Sequence, residues 1–341
     1  MLIFIILSFL LWTSFSTRED KSDHKIRHKP VQKLPEVNYI DLNGVVMGKS
    51  KTLDYRSNRY TFFAFNKGDV FVSQTMVRNN GVWESFLHDL FNHLILERTR
   101  KMHEYALTAT HTNTTGTHSR DDLVVIDIGA NIGAFTLYAA SFGCQVYSFE
   151  MQPDCLNLLD VSLRISGYRP HVHLYNVPLW DSVIEISYTP DKNNFGATYV
   201  ALAGEGGVKA NTSRLDSLIS VDGNIFFLKV DIEGKEEFAL RGYDTVINKQ
   251  RVENIVIGDT GKVHLPIYKW LFSLGYSCRP YGPVDKRIRA NGYQNCSGVL
   301  FSGNCLFSDI DGFDVAMASF SNVHCRLPNM NQKSVRRKSV Y

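Results

Sequence analysis

Two hydrophobic periods take turns along the middle of the chain. Val124-Val125-Ile126 is an unbroken β-branched run, the pattern of a parallel strand covered on both faces, and helical spacing then runs from Ile132 through Phe135, Leu137 and Tyr138. The alternation repeats, predicting strands over 123–129, 145–150, 171–177, 225–231 and 254–258, with a final pair near 275–281 and 298–307. Strands regularly separated by helices predict an α/β fold, a doubly wound Rossmann-like sheet. Upstream, strand-like alternation at Tyr60 to Phe65 and Val70 to Val72, then a helical pattern from Trp83 to Leu96, predicts a small N-terminal α/β extension. The Thr- and Asn-rich stretch 111–118 is read as a loop.

The first strand enters its helix through Asp127-Ile128-Gly129-Ala130-Asn131-Ile132-Gly133. A dinucleotide fingerprint needs a second glycine where Asn131 stands and a third where Ala134 stands, so a pyrophosphate is disfavoured. An acid at the strand end would repel a diphosphate and welcome a cation. The turn therefore fits S-adenosylmethionine, a sulfonium bearing an ammonium, better than NAD. Glu150 ends the next strand about 20 residues on, the separation at which a carboxylate accepts bonds from ribose hydroxyls. Further along, Phe227, Lys229 and Asp231 share one face of a strand while Leu228, Val230 and Ile232 share the other. A lysine in that apolar run needs an acidic partner.

These segments resemble the FkbM-family methyltransferases of class I. The resemblance rests on V-V-I-D-I-G-A-N-I-G-A-F-T-L from Val124, V-Y-S-F-E-M-Q-P from Val146, R-L-D-S-L from Arg214 and F-L-K-V-D-I-E-G-K-E-E-F-A-L-R-G from Phe227. It implies that Asp127, Gly129, Ala130, Asn131 and Gly133 hold the methionine portion of the cofactor and Glu150 the ribose. It also implies that Asp231 and Glu233 form the active-site floor. Asp231 is the preferred base or hydroxyl orienter, with His173 as a second candidate base, and Glu233 is expected to fix its turn or bond Lys229. Asn176 is expected to contact the adenine, and the glycine loop around Phe195 to lie near the cofactor. The chain departs from the family in reading Glu150-Met151-Gln152-Pro153 where the family often has E-P, and in ending the strand before Asp259 on a single acid.

The expected organisation is a signal peptide or short signal anchor over 1–16, a polar stalk over 17–36, a lead-in over 37–120, the methyltransferase domain over 121–310 and a tail over 311–341. The apolar run Leu2 to Phe15 is shorter than the roughly 20 residues a membrane span needs. Lys and Arg residues following that run favour a cytosolic body. Three sequons, at Asn113, Asn211 and Asn295, favour the secretory lumen, as does an even count of 6 cysteines, and the balance falls there. Cys144 and Cys155 read as buried apolar residues, whereas Cys278, Cys296, Cys305 and Cys325 suggest one or two disulfides. No C-x-x-C pair points to a metal. A net charge of +3, with no basic stripe, argues against nucleic acid. The expected reaction is methyl transfer from S-adenosylmethionine to a hydroxyl of a small molecule, glycan or lipid, with possible membrane association through the N-terminal segment. The alternatives are an NAD-dependent oxidoreductase or nucleotide-sugar enzyme, or an inactive lumenal binding module.

Overall fold

A computed structural model describes residues 44–50, 59–69, 71–109, 123–191, 193–202, 206–221, 223–258, 265–281 and 322–327. The expected signal segment, the stalk, Asn113, Asn295, Cys296, Cys305 and the strand expected at 298–307 lie outside them.

The central sheet has seven strands. In chain order they are β3 (Val124–Ile128), β4 (Gln145–Phe149), β5 (Val172–Tyr175), β9 (Ile225–Val230), β10 (Val252–Gly258), β11 (Ser277–Tyr281) and β12 (Asn322–Arg326). Across the sheet the order is β11-β12-β10-β9-β3-β4-β5. The β5-β4-β3-β9-β10 portion is parallel, and β12 runs antiparallel to both β10 and β11. A dinucleotide-binding sheet would place its sixth strand directly beside the fifth; here a reversed strand is inserted between them. Chain order changes direction between β3 and β9, which opens a crevice at their carboxyl ends. The stretch expected as a C-terminal tail thus supplies β12, an interior strand. Its alternation is only five residues long, too short for periodicity to separate from a loop.

Both faces are covered. On one side, helices α3 (Ala134–Ser141) and α4 (Pro153–Ser166) pack with the N-terminal elements into a core containing Phe91, Phe135, Leu159 and Phe227. On the other, Leu228, Val230, Ile255, Tyr268 and Val323 share a second core. Every residue of α3 is buried, which explains its poor amphipathicity. The N-terminal extension is a hairpin of β1 (Val45–Lys49) and β2 (Thr61–Phe65), then α1 (Val72–Arg78) and the 25-residue α2 (Ser85–Ala109). Val72, expected in a strand, starts α1, whose first turn is held by the Asp69 carboxylate accepting from the N–H groups of Val72 and Ser73. No helix among the described residues is long and apolar enough to cross a membrane.

Candidate active site

The first glycine turn is a backbone junction. The N–H groups of Gly129 and Ala130 both donate to the Phe149 carbonyl, 3.0 Å away in each case. Glu150 then ties the turn to its own strand end: Oε2 accepts from Asn131 N at 2.9 Å and Oε1 from Gln152 N at 2.8 Å. Gly129 is required by crowding as well as conformation. Its φ is +78°, and a Cβ there would stand 1.9 Å from the Asp231 carbonyl oxygen.

Opposite the turn, Lys229 reaches back from β9. Its ammonium donates to the Gly129 carbonyl at 3.2 Å and lies 3.3 Å from Asp127 Oδ1 and 3.6 Å from Asp231 Oδ2. Burial would by itself lower the pKa of this ammonium, but the two carboxylates outweigh it and hold the group above its ordinary value. The sequence requirement for an acidic partner is met twice. The Asp231 side chain leans across the end of β10, where a Cβ on Gly258 would come within 2.4 Å of Asp231 Oδ1.

The two segments open onto one cavity of about 310 Å³. Gly129, Ala130, Asn131, Glu150, Lys229, Asp231 and Glu233 line it. Apolar walls come from Trp83, Leu87, Phe135, Phe149, Trp180 and Phe195. A lid is built by a three-stranded antiparallel sheet in the order β7-β6-β8, comprising β6 (Glu185–Thr189), β7 (Tyr199–Leu202) and β8 (Val208–Asn211). The β6–β7 loop is fastened by Gln152 Nε2 donating to the Phe195 carbonyl at 2.6 Å and by Phe195 meeting Phe65 edge to face. Phe195 therefore does reach the cavity.

Other expected site residues sit elsewhere. Asp127 is fully buried behind the wall, where Oδ2 accepts from Thr136 Oγ1 at 2.7 Å and the carboxylate neutralises Lys229. Gly133 faces α4: with φ +90°, its Cβ would meet Leu159 Cδ1 at 2.1 Å, so its glycine serves helix packing. His173 stacks on Tyr147 with ring centroids 4.7 Å apart and is not on the cavity wall, and His171 lies in a short 3-10 turn before the strand. Asn176 donates through Nδ2 to the Glu150 and Met151 carbonyls at 2.9 Å each, so its amide braces the β4 end and leaves that wall to Val177 and Pro178. Glu233 does not fix its own turn. That role falls to Glu236, whose Oε1 accepts from the N–H groups of Ile232 and Gly234 at 3.0 Å each.

Glu84 was not singled out by the sequence, whereas Glu233 was. Glu84, between α1 and α2, lines the cavity, and its carboxyl is pushed up to about 8 by burial first and then by Asp231, with Glu233 and Asp127 adding and Lys229 opposing. Glu233 is pushed up to about 7 by burial, then by Asp231 and Glu236, again against Lys229. Burial also raises Glu150, offset in part by the N–H groups of Gln152 and Asn131.

Residues 127–278 match the model of the methyltransferase FkbM domain, so the chain carries an FkbM methyltransferase domain whose methyl donor is S-adenosylmethionine. No curated protein matches by sequence. Similar solved structures include a human methyltransferase 10 domain containing protein, at 12% identity over 67% of this chain and 80% of that one with a TM-score of 0.31. Another is precorrin-6y C5,15-methyltransferase from Geobacter metallireducens GS-15, at 15% identity over 60% and 78% with a TM-score of 0.30. A third is M. capricolum TrmK with S-adenosyl-homocysteine, at 9% identity over 60% and 62% with a TM-score of 0.30.

Proposed function

We propose that this S-adenosylmethionine-dependent methyltransferase transfers its methyl group to a hydroxyl oxygen, in the cavity where the Gly129 turn meets the β9 end. The observation that carries the reading is the convergence of the two segments: Lys229 bonds the Gly129 carbonyl, and Asp231 packs against Gly129 so closely that a methyl group there would overlap it. The residues present fit the cofactor. The volume suits a ligand of that class, and the carboxyl groups of Glu150, Asp231 and Glu233 on the wall suit a cation. When bound, the cofactor supplies an electrophilic methyl group.

The chain's own residues do the rest. Gly129, Ala130 and Asn131 form the backbone floor, and Glu150 is placed to accept from ribose hydroxyls while it braces the turn. Asp231 presents a carboxylate oxygen to an acceptor O–H and orients it, its negative charge balanced by Lys229. Apolar walls exclude water from the reacting groups. An ionised carboxylate only accepts hydrogen bonds, so it suits an acceptor group that donates one, as a hydroxyl does. The test is mass spectrometry of glycans and lipids from cells with and without the gene. A species one methylene lighter in the deleted cells supports the reading, and transfer found only to nitrogen or carbon contradicts it.

We also propose that the chain works in an oxidising secretory compartment. Cys278 and Cys325 face each other on β11 and β12 and are joined as a disulfide, while Asn211 is exposed on the edge strand β8 in the sequon Asn-Thr-Ser. Loss of mass after peptide-N-glycosidase treatment of the cell-derived protein supports this. Free thiols at both cysteines in freshly isolated protein would contradict it.

A further inference from the structure

Five described residues other than glycine have positive φ: Asn80, Glu84, Asn131, Glu233 and Gln250. Three of them, Glu84, Asn131 and Glu233, line the same cavity. Asn tolerates the left-handed region, but Glu does so poorly because its Cβ crowds the following carbonyl. The Glu233 turn is pinned by Glu236, whereas Glu84 holds its conformation just before α2 and on the cavity wall.

Glu84 is the more telling of the pair. It lies outside residues 127–278, which match the FkbM domain model. Its backbone carbonyl accepts from Leu87 N at 2.8 Å and starts α2, while among the described residues its carboxyl makes no hydrogen bond. Glu84 shares the cavity wall with Trp83, Leu87 and Phe135 and with the charged groups of Asp231, Glu233, Glu150, Lys229 and Lys235, with Asp127 behind the wall. Lys229 already has two carboxylates, Asp127 and Asp231, and among the described residues neither glutamate forms an ion pair. Asp231, held by the Lys229 ammonium at 3.6 Å, is placed to orient a hydroxyl.

We propose that Glu84, contributed by the N-terminal extension, is a catalytic residue that accepts the proton of the acceptor hydroxyl. The inference rests on the hydroxyl-methylation reading above. As the C–O bond forms, the S–C bonding pair stays with sulfur and the hydroxyl proton passes to the Glu84 carboxylate, then to solvent. The charge inventory couples this base to cofactor binding. Without ligand, the raised Glu84 and Glu233 carboxyls hold protons near neutrality; a bound sulfonium favours their ionised forms, so binding releases protons and tightens as pH rises through about 7 to 8.

Titration calorimetry of S-adenosylmethionine at neutral pH, in buffers of different ionisation enthalpy, counts those protons for the full chain and for Glu84→Gln. Methyl transfer into a glycan extract gives the rate. We expect the variant to bind within a few-fold of the parent, to release fewer protons, and to transfer methyl at least about a hundredfold more slowly. Equal proton release or an equal rate in Glu84→Gln overturns the inference. Absence of binding by the parent chain overturns the cofactor site instead. Should Glu84→Gln not fold, Glu84→Asp keeps a carboxyl one methylene shorter: retained proton release with a slowed rate supports the role, and an unchanged rate overturns it.

Discussion

At the scale of single residues, the most consequential position in the substrate half of the cavity has no side chain. Gly258 leaves the space that Asp231 occupies, with Oδ1, Cγ and Cβ of Asp231 all within 3.1 Å of where a methyl group would stand. Gly258→Ala must therefore push the Asp231 carboxylate aside without touching the Gly129 turn. We expect unchanged affinity for S-adenosylmethionine and a loss of about a hundredfold in turnover, the usual consequence of misplacing a positioning group by about 1 Å. Parallel calorimetry and rate measurement check this; equal turnover would show that the Asp231 position does not matter. Much of this was legible in the residues. Asp127, Gly129 and Glu150 stood out through spacing, and Lys229 through the implausibility of an unpaired buried cation. Spacing could not show that Asp127 is consumed by Lys229, or that Gly133 serves Leu159, because both depend on which neighbour packs across the turn. Glu84 was invisible for the same reason: it is one acid in a polar turn, about 40 residues before the motif it faces.

At the scale of elements, the parallel strands were readable because they are buried on both faces, which leaves apolar runs such as Val124 to Ile126 and Ile225 to Leu228. The lid sheet β6 to β8 was missed because its strands are short and half-exposed, alternating too briefly to show a period. Helix α2 carries a feature that no pattern reveals: His88 is fully buried, stacked on Tyr138 with centroids 4.0 Å apart, and neither ring nitrogen has a hydrogen-bond partner. Burial lowers its pKa from 6.5 to about 3. The sign follows from linkage: below about pH 6.5 the unfolded chain binds a proton that the folded chain refuses, so stability falls as pH drops toward 3, by about 1.4 kcal/mol per pH unit. His88→Phe should flatten that slope. Urea unfolding between about pH 6 and 4 decides it, and an identical slope in the variant would show that the proton uptake lies elsewhere. At the other end of the sheet, the Cys278–Cys325 bridge spans 47 residues, a loop whose closure is worth about 4 kcal/mol in the chain-entropy description. Replacing both cysteines by serine should lower unfolding free energy by about 2–4 kcal/mol, and the parent should lose a similar amount under reductant. A parent indifferent to reductant would mean the bridge is absent in solution.

At the scale of the molecule, the N-terminal extension is part of the enzyme's working body. Phe62, Phe91 and Leu94 share a core with Phe135, Leu159 and Phe227, and Trp83, Glu84 and Leu87 complete the cavity wall. The methyltransferase domain boundary suggested by residues 127–278 therefore cuts through the site, and we propose that the functional unit runs from the β1 hairpin to β12. A chain starting at the first glycine motif is expected to lose one cavity wall and the core behind it.

S-adenosylmethionine is expected to bind where the Gly129 turn meets the end of β9, and calorimetric titration of the full chain and of Gly129→Val checks this. One site per chain is expected in the parent and no measurable binding in the variant, whose side chain would overlap the Asp231 carbonyl. A parent chain that does not bind S-adenosylmethionine, or a Gly129→Val chain that binds it as tightly as the parent, would show that the cofactor lies elsewhere.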